Sequence, residues 1–178
     1  MGSLPSFAFL RRKDLLMLIT IKDIYKILPE DLYMSLLNTW HIPQNPKWHP
    51  EGNTLKHIII TVKRACDTNN KNLIMAALFH DLGKYETFKI NDKTGQPTAY
   101  GHERVSCFYV YKFRDFIKSF GADPTIVLWI VKNHMKIKYL YDMKKSKRDK
   151  LVNHLNFLDL IRFRYEVDGG GRYELLIR

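Results

Sequence analysis

The chain has 178 residues, 46% of them hydrophobic, enough for one sizeable core and a single domain. Lysine and arginine outnumber aspartate and glutamate by 29 to 18, and the resulting formal net charge of +11 favours anionic partners such as nucleotides, RNA or phosphate esters. The only cysteines, Cys66 and Cys107, are too far apart for a CxxC pair, which excludes a disulfide framework and a thiolate zinc finger and fits a reducing cytoplasm.

At the N-terminus, Arg11, Arg12 and Lys13 interrupt the apolar stretch that a signal peptide would need. No run approaches the ~18 apolar residues of a membrane-spanning helix, so a soluble, cytoplasmic protein is expected. Residues 1–16 read as a non-native or disordered extension with Met17 a candidate start, and residues 17–178 as one domain. From there helical periods dominate. Apolar residues at Ile21, Ile24, Ile27 and Leu28, then at Leu32, Leu36 and Leu37, predict two short helices separated by a helix start at "PED". "IPQNPKWHPEGN" carries three prolines and a glycine and is a loop. Leu55, Ile58, Ile59, Val62 and Cys66 mark the next helix, capped by Asn53 or Thr54, with His57 at the edge of its stripe.

"KNLIMAALFHD" is apolar all round, as a central buried helix should be. "INDKTGQPTAYG" predicts a polar turn region with a small hairpin, and "HERVSCFYVYKFRDFIKSF" and "DPTIVLWIVKNHMKI" predict two helices, the second capped by Asp123 before Pro124. "YDMKKSKRDK" reads as a basic connector and "LVNHLNFLDLIRFRYEV" as the last long helix before "DGGGR". The class is all-α.

Six residues of metal-binding type recur on separate helices: His57, His80, Asp81, His102, His134 and Asp159. Such a pattern is expected where several helices converge on one polar spot inside an apolar bundle. His80 and Asp81 lie about 100° apart around a helix axis, so they share an ion only at the helix end. Gly83 is placed to end the helix there in a left-handed cap. Imidazole and carboxylate without thiolate suit one or two divalent ions among Mn, Fe, Co, Ni, Zn and Mg.

"HPEGNTLKH", "ALFHDLGKYETF", "YGHERVS" and a late "LDLIRFR" resemble, in that order, an HD-domain metal-dependent phosphohydrolase, and are most similar to the HD domain attached to bacterial tRNA nucleotidyltransferases. The resemblance spans roughly residues 49 to 170, and no nucleotidyltransferase catalytic strand precedes it. It implies an HD helical bundle with a metal site between helices. His57, His80, Asp81 and Asp159 match the four ligands of a primary metal. His102 and His134 match histidines that hold a second metal with Asp81 bridging; contact with substrate, or a helix cap, is the other reading of the Gly-His-Glu run. Two ions would form a clamp that activates water and stabilises in-line displacement at phosphorus. In this reading Asp81 and Lys84 are the catalytic residues, and Lys84, with Arg104 and Arg162 as weaker candidates, meets substrate phosphate.

The expected reaction is hydrolysis of a phosphate ester of a nucleotide or of an RNA end, such as a 2′,3′-cyclic phosphate. An HD-fold di-iron oxygenase and a non-catalytic nucleotide- or RNA-binding module are the alternatives. His41, His49 and His154 match no ligand position; His49 reads first as an ordinary loop histidine, the alternative being a cap or a stacking ring beside the site entrance. The lysines and arginine between Lys132 and Lys150 either guide nucleic acid to the cleft or form a solvated charged face, with Tyr139, Tyr141 and Trp129 as candidate stacking residues.

Overall fold

The computed structural model describes residues 26–47 and 49–169. The extension expected over residues 1–16, most of the first predicted helix and the "GGR" that comes after Gly169 lie outside them. Helix α1, Glu30–Asn38, starts on Pro29 with Glu30 and Asp31 in its first turn, where carboxylates meet the positive end of the helix dipole. It buries Leu32 and Leu36 and ends in a 3₁₀ turn, Thr39–His41. After a loop comes α2, Thr54–Asp67, whose cap is Asn53: its side chain accepts from the Lys56 N–H at 2.9 Å. Asn70 caps α3, Lys71–Phe79, by accepting from the N–H groups of Asn72 and Leu73.

Every residue of α3 from Leu73 to Phe79 is buried, so this helix is the axis of the bundle. It packs against α2 on one side and α7 on the other. A short helix α4, Lys84–Thr87, leads into an antiparallel hairpin, β1 Lys89–Ile90 and β2 Pro97–Thr98, in which Lys89 pairs with Thr98. The region read as one helix from residue 102 breaks at Phe113 into α5, His102–Lys112, and α6, Arg114–Ser119. Helix α7, Pro124–Asn133, has the expected Asp123 cap and continues as a 3₁₀ turn, His134–Tyr139.

The C-terminal third departs most from expectation. Much of the basic connector is helix α8, Lys145–Val152, which buries only Leu151 and therefore shows no apolar stripe in sequence. The predicted last long helix is interrupted at residues 153–156, resumes as α9, Phe157–Arg162, and then widens into a π-helical segment, Phe163–Asp168. The widening is seen in the Gly169 N–H, which donates to the Arg164 carbonyl five residues back at 2.8 Å. Phe163, Tyr165 and Val167 anchor the segment in the core, which also contains Phe79, Leu73, Ile58, Leu82 and Ile130. The fold is all-α, with the hairpin as a minor appendage.

Candidate metal centre

Helix α3 delivers its terminal residues into the middle of the bundle. His80 retains helical backbone angles and its N–H still reaches Ala76 O at 2.9 Å; Asp81 comes next, and both are buried. Gly83 is not a left-handed cap: its φ is −68° and ψ −3°. Glycine is required there by proximity. A Cβ on Gly83 would lie 2.4 Å from the His102 carbonyl oxygen and 2.7 Å from the Ser106 nitrogen, both backbone atoms of α5. The buried Ser106 hydroxyl closes the seam by donating to His80 O at 2.7 Å and accepting the Gly83 N–H at 3.0 Å. This stitch brings His102, the first residue of α5, over Asp81.

Five predicted residues come together. Asp81 Oδ2 lies 3.3 Å from His80 Nε2 and 3.6 Å from His57 Nε2, and Oδ1 lies 3.3 Å from His102 Nε2 and 4.0 Å from His134 Nε2. The two carboxylate oxygens thus face two histidine pairs. Within the pairs, the Nε2 atoms of His57 and His80 are 3.3 Å apart and those of His102 and His134 3.2 Å apart.

The backbone fixes three of these rings. His80 Nδ1 points at Ala77 O (2.9 Å), His102 Nδ1 at Ala99 O (2.7 Å) and His134 Nδ1 at Val131 O (2.7 Å). A carbonyl only accepts, so Nδ1 carries the proton, and in the neutral ring Nε2 directs a lone pair into the cluster. Burial, reinforced by His80 and His102, holds His134 down at about 3, so its Nε2 stays a lone-pair donor at ordinary pH. Lone pairs facing one another around a buried carboxylate repel unless a cation stands among them. Asp81 Oδ1 is itself buried without a hydrogen-bond donor among the described residues. Donor set and orphaned oxygen both fit a divalent ion, and the two groups His57–His80–Asp81 and Asp81–His102–His134 each have the spacing to hold one.

Asp159 is not brought to this cluster. It sits in the first turn of α9, where its Oδ1 accepts from Asn70 Nδ2 at 3.2 Å. Asn70 caps the start of α3, about 15 Å along the helix from His80 at its other end. The carboxylate that does approach is Asp168, at the close of the π segment, with Oδ1 3.1 Å from His57 Nε2 and Oδ2 2.6 Å from Arg164 Nη1. Arg64 further ties down this chain end by donating to the carbonyls of Val167 and Asp168. The sequence holds one signal for Asp168: it is an acid placed where a core-forming helical run stops, directly before Gly169.

Two loop residues also belong to the site and were not anticipated. Glu51 Oε1 accepts from His57 Nδ1 at 2.5 Å, the carboxylate–histidine pairing that orients a metal ligand from behind. Burial disfavours charge on His57, but hydrogen bonds to Asp168 and Glu51 outweigh it and lift the imidazole to about 9. Burial likewise opposes ionisation of Glu51, yet the His57 hydrogen bond prevails and holds it down at about 2. Asp81 and Asp168 are both well below the usual carboxylate range despite burial, the first through His80 and Lys84, the second through His57 and Arg164. Gln44 accepts from Lys84 Nζ at 2.5 Å, and the same ammonium lies 2.6 Å from Asp81 Oδ2.

The remaining predicted residues sit further out. Arg104 is exposed on α5, and Arg162 pairs with Glu166 at 3.3 Å; neither is within ion-pair distance of Asp81. His49 does line the site, with its ring edge-on to His57 at 4.6 Å and its Nδ1 3.1 Å from Glu51. His154 stacks on Trp129 at 4.0 Å, removing that indole from the candidate stacking surface, while Tyr139 and Tyr141 are exposed. No helix of the described residues is long and apolar enough to cross a membrane.

Comparison with known proteins agrees with this geometry. The HD domain family matches residues 50–159, more than half of the chain. Relatives include the multifunctional CCA proteins of Shewanella denitrificans (27% identical over 118 residues, 66% of this chain and 28% of that one), Hahella chejuensis (24% over 133 residues, 74% and 30%) and Acinetobacter baylyi (26% over 143 residues, 72% and 34%). The chain therefore spans about a third or less of the length of these curated relatives. No solved structure matches it. With a His-Asp pair at the end of a buried helix and three further histidines converging on its carboxylate, this chain belongs to the HD domain family.

Proposed function

We propose that this HD domain is a cytoplasmic metal-dependent phosphohydrolase acting on phosphate esters of nucleotides or RNA ends. The observation that supports it most is the Asp81 carboxylate, one oxygen turned to His57 and His80 and the other to His102 and His134, with the Lys84 ammonium alongside. His57, His80, Asp81 and Asp168 would hold one ion, and His102 and His134, sharing Asp81, a second. Bound there, a divalent metal supplies Lewis-acid polarisation of a phosphoryl oxygen and lowers the pKa of an attacking water.

The chain's own residues set the conditions for that chemistry. Carbonyls of Ala77, Ala99 and Val131 hold the three Nδ1 protons, so the rings keep one orientation and one donor atom. Lys84 brings a positive charge to the phosphoryl group as charge builds on its oxygens. The basic surface and the resemblance to HD domains of tRNA nucleotidyltransferases favour an anionic, nucleotide-like substrate.

The test is hydrolysis of bis-p-nitrophenyl phosphate and of a nucleotide panel that includes a 2′,3′-cyclic phosphate, with each candidate metal. Turnover lost in Asp81→Ala supports the reading. No turnover above that control with any metal overturns it, whether ferrous-dependent oxygen uptake or tight nucleotide binding without turnover takes its place.

A further inference from the structure

Lys84 shares its ammonium with a side chain that holds no metal. The loop 42–53 is pinched at its neck by Gln44 N–H to Gly52 O (2.9 Å), Thr54 N–H to Ile42 O (3.0 Å) and a bridge between Pro43 and Asn53. It closes on the site from one side, placing Glu51 against His57 and Gln44 against Lys84. Gln44 is 7% exposed, an unusual depth for a carboxamide on a loop.

The orientation of that carboxamide is decided by its neighbour. An ammonium has donors and no acceptor, so the atom 2.5 Å from Lys84 Nζ must be Oε1. Nε2 is then left with two N–H donors, buried and with no hydrogen-bond partner among the described residues. Unpaired buried donors are rare because each forfeits its hydration without return. Here the orphan is bonded to the same carbon as the oxygen that anchors Lys84. Lys84 has three donors, of which Gln44 and Asp81 take two. The neutral donor is thus two bonds from the oxygen that holds the Lys84 ammonium, and the ammonium itself lies against Asp81.

Resting on the phosphohydrolase reading, we infer that Gln44 is a substrate-binding residue: Nε2 donates to a non-bridging phosphoryl oxygen of the ester that Lys84 neutralises, while Oε1 keeps Lys84 turned toward it. A carboxamide can serve both partners at once because it accepts through one atom and donates through the other. No carboxylate or alkyl side chain of that size could.

A double-mutant cycle tests this in the full chain loaded with manganese, using Gln44→Leu, Lys84→Met and the pair, with inorganic phosphate titrated calorimetrically and metal per chain measured alongside. Gln44→Leu is expected to weaken phosphate about ten- to a hundredfold and to raise KM for bis-p-nitrophenyl phosphate similarly, with metal content unchanged. In the Lys84→Met background it should still cost about tenfold, because the donated bond is its own. Gln44→Met serves the same purpose if the leucine variant does not fold.

Phosphate affinity unchanged by Gln44→Leu overturns the inference. So does an effect that vanishes once Lys84 is gone, which would make Gln44 only a tether. Wild-type protein that neither binds phosphate nor hydrolyses any ester removes the phosphohydrolase reading itself, and this inference with it.

Discussion

Asp159 and Asp168 lie on the same C-terminal stretch and have different surroundings, so their substitution should separate two roles. Asp168→Ala removes a buried carboxylate between His57 and Arg164. It is expected to lower metal per chain and to abolish ester hydrolysis. Asp159→Ala loses the bond to Asn70 at the far end of α3, which should cost about 1 kcal/mol of stability and leave the metal content intact. Elemental analysis beside chemical denaturation of both variants reads the difference. A second residue-scale outcome concerns pH in the metal-free protein. His134, held down at about 3, and His49, held down at about 4, charge more readily in the unfolded chain, so stability rises with pH up to their ordinary value of 6.5. The depressed carboxylates Glu51, Asp81 and Asp168 act in the same direction at lower pH. His57, lifted to about 9, does the opposite: its contribution is complete below 6.5 and is lost as pH rises through 9. The melting temperature of chelated protein should therefore peak near pH 6.5. Divalent metal should erase the alkaline fall, since an ion on His57 Nε2 replaces the proton there. A melting temperature that climbs steadily from pH 6.5 to 9 without metal would contradict this.

Elements are held in place by contacts that composition alone does not announce. Gly83 illustrates this: the sequence marks it as special, but as a helix stop, whereas its backbone is ordinary and its missing Cβ is what lets α5 approach. Gly83→Ala is expected to cost about 2–3 kcal/mol by overpacking against backbone that cannot yield. By displacing His102 it should also lower the metal bound per chain; thermal unfolding and metal analysis together check this. The His80–Asp81 pair was legible because its two ligands are adjacent and end an apolar run. His57, His102 and His134 were legible because each lies at a helix edge or terminus. Asp168 was hidden by the π segment, since a periodicity of 3.6 carried through Phe163–Asp168 does not describe a wider turn. Gln44 and Glu51 lie in a proline-rich loop with no periodicity to read, and only tertiary contact gives them a role. Helix α8 read as a connector because seven of its eight side chains are not buried.

For the whole molecule, the charge of +11 has an address. Lys144, Lys145, Lys147 and Lys150 are exposed on and beside α8, near the exposed Tyr139 and Tyr141. If the substrate is an RNA end, this face should carry binding affinity and little chemistry. Lys145→Glu combined with Lys147→Glu is expected to weaken single-stranded RNA binding and to flatten its dependence on salt by about two ions, measured by fluorescence anisotropy across a salt series. Hydrolysis of bis-p-nitrophenyl phosphate should be unaffected. The fold should tolerate the change, because both residues lie in the first turn of α8, where glutamate suits the helix dipole.

The π segment acts on the chain as a change of phase. Its extra residue delays Asp168 by part of a turn, and that delay aims the carboxylate at His57 instead of along the outer surface of the bundle. Rewound as a regular helix, the same six residues would be a more favourable local structure and would carry Asp168 roughly 100° further around the axis. A segment so wound would gain regularity and lose the carboxylate beside His57, so the irregularity is the part of the helix on which the centre depends.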